Sequence, residues 1–223
     1  MADHKDATIS PKIYVDDNPL IQTEYRHKTK NSYSIIDASF NDGYKNTTNK
    51  KTSGSRNHLF AKSDLDLNLE TFDDSKLTFN LQKSSNDTYL KVHDINSTIM
   101  TSNTIMNSYV DLDLAKGDSI MNVNFNVYEN LGNEDERYEY VAPNYTYTNK
   151  LSVAEEIGVL DFKSTGFYKN FETNKKQTKL VNDFNWTSND SFSDSGIITR
   201  LEGNLRNSNY QAENTADHKN DQT

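Results

Sequence analysis

Cysteine is absent from the chain. That excludes disulfide staples, cysteine-ligated zinc and thiol catalysis, and it leaves the redox compartment unassigned. A basic excess is missing too. The net charge is -9 and the isoelectric point is near 5.0, with charges spread along the chain rather than blocked. Nucleic acid is therefore not an expected partner, because phosphate backbones need a basic stripe. No run approaches the ~18–20 apolar residues of a membrane helix. The opening MADHKDATIS lacks both the charged and the apolar region of a signal peptide. Either the protein is cytosolic or these residues are not the start of the mature polypeptide. Also missing are an HExxH metal pair, a GxSxG elbow, a glycine-rich phosphate loop and a dinucleotide fingerprint. No enzyme activity and no cofactor are expected.

Apolar residues are scarce, at 33 % with a mean hydropathy of -0.90, but they are bulky. The 13 Tyr and 10 Phe argue against plain disorder, since disordered chains are poor in aromatics. An antiparallel sheet with one wet face suits this composition, because only every second residue has to be apolar.

Alternation dominates the chain. In LFAKSDLDLNLE, Leu59, Ala61, Leu65, Leu67 and Leu69 share one face, and Lys62, Asp64, Asp66, Asn68 and Glu70 share the other. Leu77, Phe79 and Leu81 alternate with Thr78, Asn80 and Gln82. Met121, Val123, Phe125 and Val127 alternate with Asn122, Asn124 and Asn126. Leu180, Phe184 and Trp186 fall on one face with Asn182, and a further strand is expected over 197–205. Turn clusters separate these runs, among them DDNP at 16–19, SSND at 84–87 and AKGD at 115–118. The pattern predicts an all-β antiparallel meander of roughly nine or ten long amphipathic strands. SSND reads as a short turn closing the hairpin that follows KLTFNLQK.

Two architectures fit. In a sandwich the apolar faces of two sheets meet. In an outer-membrane barrel the apolar face meets lipid and the polar face lines a wet lumen. Long strands, loops alternately short and long, and Tyr89, Tyr128, Tyr138, Tyr140, Tyr145 and Tyr147 near expected strand ends pull toward the barrel, where tyrosine anchors at headgroup level. Pro11 interrupts an alternating run and cannot donate to a ladder, so its strand reads as an edge. Pro19 starts the next strand, and Pro143 interrupts YVAPNYTYT. The histidines His4, His27, His58, His93 and His218 form no spaced metal pair, though His27 and His58 fall on strands where a lumen-facing place suits them. Asp16–Asp17, Asp73–Asp74 and Glu155–Glu156 sit in turns or strand ends as ordinary solvated carboxylates.

Several segments together resemble a known family. KDATISPK (5–12) followed by LIQTEYR (20–26), then RNHLFAKSDLDLN (56–68), SSNDTYLKV (84–92) and VYENLGNEDERYEYVAPNYTYT (127–148), resemble in order and spacing the LptD (OstA) family of LPS-assembly outer-membrane proteins. The resemblance covers most of residues 5–210. It implies that residues 1–223 are an open fragment of a large transmembrane β-barrel domain, without the family's periplasmic N-terminal domain, its cysteines and the remaining barrel strands. It also implies the location, the Gram-negative outer membrane, and the role, non-enzymatic insertion of lipopolysaccharide into the outer leaflet. The implied partners are lipopolysaccharide, a plug lipoprotein and the periplasmic bridge proteins. Pro11 matches the proline of the family's first strand, which implies a place in the lateral gate. Asp66, Asn68, Asn122, Asn124 and Asn126 are the expected lumen-facing residues. The alternatives are another outer-membrane barrel, such as a porin or solute channel, and a soluble β-sandwich binding module.

Overall fold

The computed structural model describes residues 4–15, 17–45, 54–132, 136–151 and 157–215. The strands are β1 (Lys5–Lys12), β2 (Leu20–Lys28), β3 (Ser32–Asn41), β4 (Arg56–Asp66), β5 (Asp74–Ser84), β6 (Ile105–Lys116), β7 (Ser119–Asn130), β8 (Tyr138–Leu151), β9 (Val159–Phe171), β10 (Lys175–Thr187), β11 (Ser191–Phe192), β12 (Ile198–Thr199) and β13 (Glu202–Glu213). The one helix among the described residues, α1 (Tyr89–Val92), is a single turn. The chain is all-β, as the alternation predicts. Eleven strands form one sheet in the order β1-β2-β3-β4-β5-β6-β7-β8-β9-β10-β13, an antiparallel meander, with β11 and β12 as a separate small hairpin. This is more strands than the expected nine or ten. Among the described residues β1 and β13 each have a single neighbour, so the sheet is open at both ends.

Register explains why the alternation holds. Across β2–β3–β4, Gln22 stands opposite Ser39 and Ser39 opposite His58, while Glu24 stands opposite Asp37 and Asp37 opposite Phe60. One residue along, Ile21 faces Phe40, Tyr25 faces Ile36 and Ile36 faces Ala61. Side chains alternate sides of a strand, so these two sets occupy opposite faces of the sheet. The first face buries polar groups: Asp37, Ser39, Asn41, His58, Asn80, Gln82 and Ser84 are all under 5 % exposed. The second leaves bulky apolar groups open, with Ile21 50 %, Phe40 50 %, Leu59 43 % and Phe79 39 % exposed. This inverts the usual burial of a globular sheet.

Contacts divide the chain into two compact units. The first (1–67, 77–110 and 126–139) holds the apolar cluster of Leu20, Phe60, Tyr89, Leu90, Ile95, Ile99, Met106 and Leu131. In the second (68–76, 111–125 and 140–223), β10 pairs with β9 and β13, and Phe162 packs on Phe184 with ring centres 4.7 Å apart. There Gly166 of β9 leaves room for the Tyr145 ring, since a Cβ would stand 2.7 Å from Tyr145 Cε1. The Tyr145 hydroxyl meets Ser164 Oγ at 3.2 Å, and Ser164 donates to Asn182 at 2.8 Å.

Several expectations change. The strand expected over 197–205 is split: Asp190 pairs with Arg200 at 2.8 Å, and Ser188 exchanges hydrogen bonds with Leu201. These contacts hold the β11–β12 hairpin apart, and β13 begins only at Glu202. β8 runs unbroken through the cis Ala142–Pro143 bond, so Pro143 does not end it. Tyr145 lies inside β8 rather than near its end. Asp16, Glu155, Glu156 and His218 lie outside the described residues.

Candidate functional site

SSNDTYLKVHDINSTIM does not close a hairpin. Residues 85–104 separate β5 from β6 as a strap that folds onto the polar face of the sheet. Its entry is built locally: Asn86 Oδ1 accepts from Thr88 N at 3.0 Å and from Thr88 Oγ1 at 2.9 Å. One helical turn follows, with Val92 N donating to Thr88 O and His93 N to Tyr89 O. Asp94 then adopts a left-handed backbone (φ 46°), and Ile95 N returns to Leu90 O at 2.9 Å. The turn thus presents Tyr89 and Leu90 to the sheet, while Val92 is exposed.

Apolar and polar contacts both dock the strap. Tyr89, Leu90, Ile95 and Ile99 pack with Leu20 of β2, Phe60 of β4 and Met106 of β6. Beside them the Tyr89 hydroxyl meets Ser39 Oγ at 2.7 Å. Ser39 Oγ also meets His58 Nδ1 at 2.5 Å, and His58 Nε2 meets Asp37 Oδ1 at 3.2 Å. Gln22 donates to Asp37 at 3.1 Å and to the Asn96 carbonyl at 2.9 Å. Lys12 donates to the His93 and Asp94 carbonyls, Gln82 to the Ile99 carbonyl and Thr98 to Glu24. At the strap's start Arg137 bridges Asp87 at 2.8 Å and Glu129 at 2.7 Å. Buried polar groups need such partners, because an unpaired one costs about 1–3 kcal/mol.

Electrostatics of the strap follow from burial. Desolvation pushes the Tyr89 hydroxyl above its ordinary pKa, opposed by its bond to Ser39. Tyr14, whose hydroxyl meets His93 Nδ1 at 3.1 Å, is raised by burial and then by Asp17 and Asp94. His93 is held below its ordinary value chiefly by burial, and its Nε2 is buried without a partner.

Serine, histidine and aspartate in hydrogen-bond sequence invite comparison with a nucleophilic triad. Ser39 is only 4 % exposed, and Tyr89, itself wholly buried, occupies the hydroxyl from the strap side. No reacting carbonyl can reach Ser39 while the strap is docked. The arrangement holds a segment against a polar face. Among the described residues no group of three or more acidic or histidine side chains is placed to hold a metal ion.

The sequence-predicted residues fall at several places. Asn122 of β7 donates to Asp111 and Asp113 of β6, both at 2.7 Å, and Asn124 is linked to Asn122 and to Asn144 of β8, both at 3.2 Å. They form one polar ladder. Asn126 lies two residues along β7, the spacing of the same face. Asp66 is the last residue of β4. Asn68 lies past it, in the β4–β5 turn with φ 49°, so it is not a strand-face residue: its short polar side chain tolerates the left-handed backbone the turn requires. Tyr89 is corrected from an interface anchor to a wholly buried contact of the strap. His58 does face the polar side, but His27 does not: it shares the other face with Tyr25 and Ile21, two and six residues back along β2. Asp37, Ser39 and Gln22 were missed, although alternation with Ile36, Ala38 and Phe40 marked their face.

Pro11 lies on β1 opposite Ile21. Lys28 N donates to His4 O at 2.9 Å in the same register. Bonded and non-bonded pairs alternate along an antiparallel ladder, which makes Pro11–Ile21 a non-bonded pair. The Pro11 nitrogen therefore faces the open edge of the sheet, away from β2. Lys5, Ala7 and Ile9 present N–H groups along that edge; Pro11 presents none.

No family model matches the chain, and no curated protein is significantly similar to it.

Proposed function

We propose that this chain supplies strands to an outer-membrane β-barrel of the LPS-assembly kind, which passes lipopolysaccharide into the outer leaflet without catalysing a reaction. The observation that carries this reading is the inverted sheet, with bulky apolar side chains open on one face and buried polar ones on the other. Lipid is the environment in which such an apolar face is satisfied. A sandwich would need a second large sheet against it, and among the described residues the other sheet has two strands of two residues each.

In this reading the polar ladder of Asn122, Asn124, Asp111 and Asp113 lines the path of the sugar headgroup. The acyl chains leave sideways at the β1 edge, where Pro11 withholds a donor from any strand that pairs there. The plug lipoprotein and bridge proteins implied by the sequence resemblance belong to the same proposal, and so does the outer-membrane location. Replacing Pro11 with Val in the producing cell adds one N–H to that edge. Lipopolysaccharide export is expected to fall and sensitivity to apolar antibiotics to rise. Unchanged export in a stably inserted variant counts against the gate.

The docked strap favours one second reading, a solute channel narrowed by a loop on its polar face. Sugar flux into vesicles that rises on strap deletion, with export indifferent to Pro11, is the outcome of that reading.

A further inference from the structure

A cleft lies where β2 turns into β3, at the opposite end of β2 from Leu20 and the strap's apolar cluster. It has a volume of about 510 Å³ and is lined by His4, His27, Lys28, Thr29 and Lys30. An adjoining hollow of about 160 Å³ shares His4, His27 and Lys28 with it and adds Lys5, Asp6, Arg26 and Tyr33. The His4 and His27 rings stand 5.8 Å apart, centre to centre.

The charge balance of this corner differs from that of the chain. Arg26 is taken by Glu24 at 2.6 Å. Among the described residues Lys5, Lys28 and Lys30 have no carboxylate partner; no carboxylate lines the cleft itself, and Asp6 lines the adjoining hollow. Two free lysines, Lys28 and Lys30, and two imidazoles thus line one cleft, with Lys5 in the hollow beside it, in a protein whose net charge is -9. Unpaired like charges repel one another, so their grouping costs energy unless an anion joins them. Ammonium groups act as compact point charges with three donors each, which suits a phosphate more than a planar carboxylate.

We infer that this cleft binds a phosphate group, with Lys28 and Lys30 as its cations, the His4 and His27 rings as neighbouring donors, and Lys5 adding positive charge from the adjoining hollow. The phosphate has two possible sources, a free anion or a lipid headgroup. Register favours the lipid. Lys5 stands opposite His27, and the next residues on that face are Ala7, Tyr25 and Ile36. An acyl chain leaving the cleft therefore meets an apolar stripe. The lipid source rests on the barrel reading; phosphate binding itself does not.

The test uses the full chain in neutral-detergent micelles, titrated with lysophosphatidic acid, lysophosphatidylcholine or inorganic phosphate and followed by calorimetry and phosphorus NMR. Saturable binding of lysophosphatidic acid is expected, with none of lysophosphatidylcholine. The double variant Lys28→Gln, Lys30→Gln should lose about tenfold or more in affinity, about 1.4 kcal/mol or more, because both charged donors of the cleft are removed. Lys150→Gln, on β8, should lose nothing. Equal affinity for inorganic phosphate keeps the site and removes the lipid source. Absence of saturable binding of both lysophosphatidic acid and inorganic phosphate overturns the proposal, as does full affinity in the double variant with strand content unchanged. Phosphate binding by a chain that proves soluble without detergent keeps the site and removes the barrel.

Discussion

Replacing Tyr89 with Ala should release the strap and leave the rest of the sheet in place. Tyr89 is wholly buried, packs edge-on against His93 with ring centres 4.9 Å apart, and holds Ser39 through its hydroxyl. Truncating a buried aromatic to Ala costs about 3–5 kcal/mol. Tyr89→Phe removes only the hydroxyl and leaves Ser39 bonded to His58, at a cost of about 1 kcal/mol. The two variants thus separate packing from polar anchoring. Amide exchange read by mass spectrometry on strap peptides reports the local opening equilibrium. The Ile95 amide, bonded to the Leu90 carbonyl, should exchange about 100-fold faster or more in Tyr89→Ala and about fivefold faster in Tyr89→Phe. Peptides from β9 and β10 should not change. Equal effects of the two substitutions, or an Ile95 amide unprotected in the unsubstituted protein, would refute the packing argument.

Acid should loosen the same segment. Burial holds His93 below 6.5, so the opened strap takes up a proton before the docked one does. Docking is therefore unaffected above about pH 6.5 and weakens as pH falls from there toward the lowered value of the docked state. Strap protection should decline as pH falls below about 6.5, and His93→Gln should flatten the profile; protection that rises on acidification contradicts this sign. In the other unit, Gly166→Ala should destabilise by about 1–3 kcal/mol, because the new methyl meets the Tyr145 ring and comes within 3.0 Å of the Lys179 carbonyl. The unfolding midpoint, followed by the fluorescence of Trp186, checks this. A paired Tyr145→Ala substitution should recover part of the loss, and a neutral Gly166→Ala would show that the close approach carries no energy.

What could be read from the chain was what repeats every two residues. The faces of β4, β5 and β7 follow directly from LFAKSD, KLTFNLQ and MNVNFNV, and Asn182 does share a face with Leu180, Phe184 and Trp186, because strand periodicity is local. The strap was not legible for the opposite reason. SSND carries the same residues whether it closes a tight turn or opens a helical turn, and only the distant partners of Tyr89 on β3 and β4 decide between them. Asn68 shows the same limit on a smaller scale: its alternation with Leu67 and Leu69 is real, but the strand has ended at Asp66. The network of Gln22, Asp37, Ser39 and His58 depends on a cross-strand register that no single segment contains. Pro11 was legible as an edge residue; that its nitrogen faces the open side required the pairing with β2.

The central claim is that the apolar face of this sheet lies against lipid and the polar face against water. Because the chain contains no cysteine, single Cys substitutions carry spin labels without background. Labels at Ile21, Ile36, Phe40 and Leu59, and at Thr8, Glu24 and Lys62, can be compared in lipid vesicles for relaxation by oxygen and by a water-soluble nickel chelate. The account predicts a two-residue period, with oxygen dominating at the first set and the chelate at the second. A chain that stays monomeric in water, with the first set shielded from both reagents, would contradict it.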